Sequence, residues 1–148
     1  MTGQTVYRGD MALIELFPGV TATNVIYRGG TTSSALSSVA EMWYRSPLKG
    51  DQFCTGGSAS GELCNWTVDA VGIDTPVSFQ GKPAGTLRNA VRGFINLTYG
   101  TKEGDSGGSV FTVRSDGQIA AKGIISAGST VPGYGTVKPV SSVYFTDI

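Results

Sequence analysis

Residues 102–109 read Lys-Glu-Gly-Asp-Ser-Gly-Gly-Ser, placing an acid and a hydroxyl, Asp105 and Ser106, among the glycines at 104, 107 and 108. A serine hydroxyl is a poor nucleophile until a base takes its proton and fixed donors meet the charge that develops on the attacked carbonyl. The glycines let the backbone turn tightly and leave room for a ligand to approach Ser106. The amides of Gly104 and Ser106 are placed to point into one cavity and hold a carbonyl oxygen. Taken alone, the stretch fits a plain β-turn equally well, with Asp105 capping neighbouring amides and Ser106 solvated. The usual proton acceptor is missing, since the chain contains no histidine.

The elements that must carry this loop are strands. Apolar residues alternate or cluster in short runs broken by Gly, Pro, Asn and Asp, and helical periodicity is nearly absent. The pattern predicts an all-β chain with strands at 11–16, 25–27, 41–44, 52–54, 64–73, 87–94, 109–113, 119–126 and 142–145. Asp116-Gly117 between two apolar runs is the strongest hairpin signal and directly follows the glycine-rich loop. The low-charge stretch 29–39 reads as a surface connection, with a boundary near residue 45. Residues 75–85 read as an exposed loop.

Lysine plus arginine and aspartate plus glutamate both total 11 in 148 residues, so no overall field draws in nucleic acid or an anionic membrane, and neither is expected as a partner. No apolar run reaches membrane-spanning length, and residues 1–10 show neither the basic start nor the apolar core of a signal peptide. The two cysteines, Cys54 and Cys64, flank a glycine-serine loop; buried thiols and a disulfide between strands both fit. With no histidine they cannot fill a zinc shell, so no metal or other cofactor is expected.

The GDSGGSV stretch resembles the nucleophile loop of chymotrypsin-like serine peptidases, and four further stretches fall in the order of that family. GDMALIEL at 9–16 is similar to its aspartate segment. FCTGGSASGELC at 53–64 is similar to the disulfide loop of the bacterial α-lytic protease and streptogrisin branch. AVRGF at 90–94 is similar to the strand before the nucleophile loop, and GIISAG at 123–128 to the strand lining the primary specificity pocket. The resemblance implies an antiparallel Greek-key β-barrel, with residues 1–45 the remnant of a first barrel and 46–148 a nearly complete second one. It implies a serine endopeptidase acting on polypeptides through an acyl-enzyme, with Ser106 as nucleophile, Asp10 as triad acid and Gly104 and Ser106 as the oxyanion hole. Gly100, Thr101, Glu103, Ser126, Ala127 and Gly128 would bind substrate. A Cys54–Cys64 disulfide and a secreted parent protein follow from the same resemblance.

The family's triad runs histidine, aspartate, serine, and here the first is missing. The resemblance implies a chain that begins after most of the first barrel, inert alone because loss of the base lowers catalysis on the order of 10⁴ to 10⁶. A complementing N-terminal segment carrying the histidine is then the expected partner. The alternative is a pseudopeptidase that binds peptides without cleaving them; a purely structural β-domain accounts for Asp10 and Ser106 less well. In relatives Asp105 is buried against a cation, but the matching position holds Thr55, so Asp105 is expected to find Arg92 or a set of backbone amides. With no fixed negative charge around Gly100 and Thr101, the pocket is expected to favour an apolar or small side chain.

Overall fold

The structure, a computed structural model, describes residues 14–97, 99–131 and 140–148, and all its regular elements are strands. They are β1 (Val25–Arg28), β2 (Ala35–Met42), β3 (Gln52–Gly57), β4 (Gly61–Phe79), β5 (Lys82–Ile95), β6 (Ser109–Val113), β7 (Ile119–Val131) and β8 (Val140–Asp147). Neighbouring strands follow the order β3–β4–β5–β8–β7–β6, and β6 pairs back onto β3, which closes a six-stranded antiparallel barrel. The β5–β6 connection must cross the barrel mouth past β8 and β7. That connection carries Asp105 and Ser106.

Period-two burial marks stretches such as Trp66–Val68 and Val91–Ile95, while β3 buries three successive residues and β6 two. Phe53, Trp66, Val68, Val91, Ile95, Val110, Ile125, Val143 and Phe145 form one buried cluster. Phe53 meets Phe145 edge to face at 5.1 Å between centroids, a favourable arrangement for two ring quadrupoles. The buried Trp66 indole N–H donates to the Thr55 hydroxyl at 3.0 Å, so the one polar atom of that side chain is satisfied. Thr55, at the position expected to lack a cation, therefore serves the core.

Two sequence expectations need correction. The stretch 29–39 is not wholly a connection, because β2 begins at Ala35; it pairs antiparallel with β1 and parallel with β7. Both its edges are held by backbone pairing while its side chains stay mostly exposed, so no alternation marks it. Residues 75–85 are likewise no loop: β4 and β5 run on past the barrel as a two-stranded arm turning at Gln80-Gly81. Register shifts between Ala70 and Thr75 bend this arm, and Asp74 pins the bend by accepting from the Asn89 amide at 3.0 Å and from Arg88 at 3.2 Å. The Asp-Gly hairpin is present, with the Arg114 amide donating to the Gln118 carbonyl at 2.9 Å. The strand expected at 11–16 lies largely outside the described residues; Ile14–Leu16 is not in a strand.

The β1–β2 hairpin is fastened to the barrel by a second cluster, in which Ile26 and Val39 pack on Cys54, Phe111 and Ile119. Arg28 grips Glu62 with both guanidinium arms, at 2.7 and 2.6 Å. Below the segment that follows β2, Lys122 is fully buried, its ammonium against the Trp43 ring and without a hydrogen-bond partner among the described residues. Burial depresses its pKa to about 7, opposed by Asp51 and Asp147 and assisted by Arg45. Above about pH 7 and up to the ordinary lysine range the unfolded chain holds this proton and the folded chain does not, so the residue's contribution to stability rises with pH. Below that window the folded chain carries the buried charge at full cost. Lys122→Met should therefore raise the melting temperature more at about pH 6 than at about pH 9, measured by thermal unfolding.

Candidate active site

The loop across the barrel mouth is built around one buried carboxylate. Asp105 is 1% exposed, and its oxygens accept the amides of Ala59 at 2.8 Å, Ser60 at 2.9 Å and Lys102 at 2.7 Å. Burial works against its charge, but the hydrogen bonds from Ser60, Lys102 and Ala59 outweigh it and hold the carboxyl below the usual aspartate value. Arg92 plays no part; it pairs with Asp69 at 2.6 Å. Of the two donor sets the sequence allowed, the amides are the one used.

Two of those amides come from the β3–β4 hairpin tip, inside the loop closed by the Cys54–Cys64 disulfide. The same tip adds the Ser58 hydroxyl, which donates to the Gly104 carbonyl at 2.6 Å, and the Ser60 hydroxyl, which donates to the Gly100 carbonyl at 3.1 Å. Gly57 makes this docking possible, because a Cβ there would overlap the Asp105 carboxylate. On the other side, the Gly107 amide donates to the Ile125 carbonyl at 2.8 Å and the Ile125 amide to the Gly108 carbonyl at 2.9 Å. Clamped from both sides, the loop turns at Gly104 with φ +99°, a conformation L side chains rarely adopt. Among the described residues, the amides of Gly104 and Ser106 donate no backbone hydrogen bond.

Thr101, Glu103, Gly104, Ser106, Ser126, Ala127 and Gly128, all singled out from the sequence, line one cleft of about 830 Å³. Gly100 stands behind this wall, buried against Ser141 and Trp66. Asp10 lies outside the described residues. The Ser126 hydroxyl is in contact with Thr146 at 3.3 Å. Beyond the Ser109–Ile124 pair no described strand joins that edge of β7, so residues 126–128 present open backbone to the cleft. The sequence reading missed the far wall, formed by the arm from Val77 to Arg88. Its sequence, broken by Pro76, Gly81, Pro83 and Gly85, gave no strand signal.

Among the described residues, Cys54, Glu62 and Cys64 are a grouping close enough to share a metal ion, but the two sulfurs are bonded to each other. Arg28 and the Gly29 amide already engage the Glu62 carboxylate.

No family model matches the chain, and no curated protein matches it. Among solved structures it is similar to one described as "A glutamic acid specific serine protease utilizes a novel histidine triad in substrate binding", at 19% identity and a TM-score of 0.63. The likeness covers 95% of this chain and 63% of that one, so the chain spans less than two thirds of its neighbour's length. The barrel is thus the chymotrypsin-like protease barrel, an all-β fold.

Gly57→Ala should push the hairpin tip off Asp105 and cost about 1–3 kcal/mol as the buried carboxylate loses donors. Opening the Cys54–Cys64 bridge as a double serine variant should cost about 3 kcal/mol for a loop of this length. Denaturant unfolding measures both.

Proposed function

We propose that this chain carries the nucleophile half of a serine endopeptidase of the chymotrypsin-like type. The observation that supports this best is the conjunction in one cleft of Ser106, two amides without backbone partners at 104 and 106, and an open strand edge at 126–128. Each meets a separate demand of acyl transfer. The hydroxyl attacks a peptide carbonyl, the amides receive the charge formed on its oxygen, and the strand edge holds the substrate as an added strand. In this reading Asp10 orients the base, residues 1–45 are the remainder of a first barrel, and residues 46–148 are the second.

The base comes from outside the chain's own sequence, which has no histidine. A complementing segment that supplies it also has exposed apolar side chains to cover: Phe17, Tyr27 and Tyr44 stand 84, 71 and 88% exposed, and Leu36, paired with Tyr27, and Met42 are exposed on β2. Polypeptide is the substrate and no cofactor takes part. The disulfide and protease-like fold fit an extracellular setting. The similar protease is glutamic acid specific and uses a histidine triad in substrate binding, a device that a chain without histidine cannot build. A pseudopeptidase is the weaker reading, because Ser106 and Gly104 share one cleft and their amides have no backbone partner among the described residues.

Incubating the chain with a fluorophosphonate and added imidazole, which substitutes for the missing base, should place one phosphonyl group on Ser106. Intact mass and peptide mapping read the result. Labelling is expected to be absent in Ser106→Ala and slow without imidazole; equal labelling of parent and Ser106→Ala would sink the proposal.

A further inference from the structure

The two walls of the primary pocket meet. Gly128 on β7 lies so close to the nucleophile loop that a Cβ there would overlap the Thr101 hydroxyl, and the Thr101 carbonyl is 3.4 Å from the same point. Behind Thr101, Gly100 is packed on Ser141 and Trp66, with a Cβ built there 2.5 Å from Ser141 Cβ and 3.1 Å from the Trp66 ring. Among the described residues, the lining of the cleft continues from this contact to the arm that includes Ala84 and Arg88.

The contact also isolates a polar atom. Thr101 Oγ1 is closed off from solvent and has no hydrogen-bond partner among the described residues. A buried hydroxyl without a partner is disfavoured, so the close approach of Thr101 to Gly128 is held at a cost. The charged neighbours Lys102 and Glu103 are exposed on the rim and do not reach beneath Gly128.

We infer, on the basis of the peptidase reading, that Thr101 is the specificity-determining residue and limits the side chain at the attacked carbonyl to that of glycine, alanine or serine. An aromatic or long charged side chain has no room between Thr101 and Gly128. Selectivity beyond that residue falls to the extended backbone along 126–128 and to the arm.

The test uses peptidyl boronic acids with one common leader sequence and an alanine-type, phenylalanine-type or glutamate-type side chain next to boron. Isothermal titration of the full chain should show the alanine-type compound binding about tenfold or more tightly than the other two, the range a few methylenes command in a pocket. Binding should depend on Ser106. Thr101→Gly should bring the phenylalanine-type compound to within about threefold, while Thr101→Ser, which keeps the obstructing oxygen, should preserve the preference. Should Thr101→Gly fail to fold, Thr101→Ala asks the same question. Equal or tighter binding of the larger side chains by the parent overturns the inference and leaves the nucleophile intact. If no compound binds in a Ser106-dependent way, the peptidase reading fails and takes this inference with it.

Discussion

A carboxylate taken out of water needs donors, and the placement of three amides around Asp105 organises this molecule. An isolated buried charge costs several kcal/mol, so the chain cannot bury Asp105 without bringing the β3–β4 hairpin tip and Lys102 to it. Once they arrive, Gly104 and Ser106 on either side of Asp105 have little freedom left. Among the described residues neither of their amides donates a backbone hydrogen bond. The loop that carries Ser106 is thus shaped by an interaction the serine itself does not make.

The rest of the fold supplies fixed walls for that arrangement. Barrel closure through β7–β8 and β3–β6 fixes where the mouth lies, and the core under Phe53, Trp66 and Phe145 keeps it from shifting. The disulfide closes the base of the hairpin whose tip gives Asp105 two of its amides, which limits how far that tip can stray. Ile125 ties the loop to β7 through two backbone bonds, which puts the strand edge at 126–128 next to the serine. The chemistry of the cleft is the sum of these restraints.

Much of this was legible in the residues themselves. Strands with a buried face, such as Ser109–Val113, announced themselves by short apolar runs between turn residues, and the Asp-Gly turn after that strand was plain. The glycine pattern around Asp105 and Ser106 pointed to a turn that exposes amides. What stayed hidden had no burial to report it. Strand β2 and the arm of β4 and β5 are held by backbone pairing with mostly exposed side chains, so their sequence reads as connection. Nor did any motif say that the hairpin tip at 58–60 would serve Asp105, because its donors are amides and a hydroxyl, groups that serine-rich loops possess without special use. The buried Lys122 was equally silent: only the packing of Trp43 above it shows that this cation is inside.

The central claim is that the amides of Gly104 and Ser106 are set, before any substrate arrives, to receive an oxyanion formed on Ser106. A crystal structure of the chain carrying a phosphonyl group on Ser106 Oγ tests it directly. The account predicts the phosphoryl oxygen about 3 Å from both amide nitrogens, with Asp105 still bound to Ala59, Ser60 and Lys102. A phosphoryl oxygen turned to solvent, or an adduct that forms only after Asp105 leaves those amides, would contradict it.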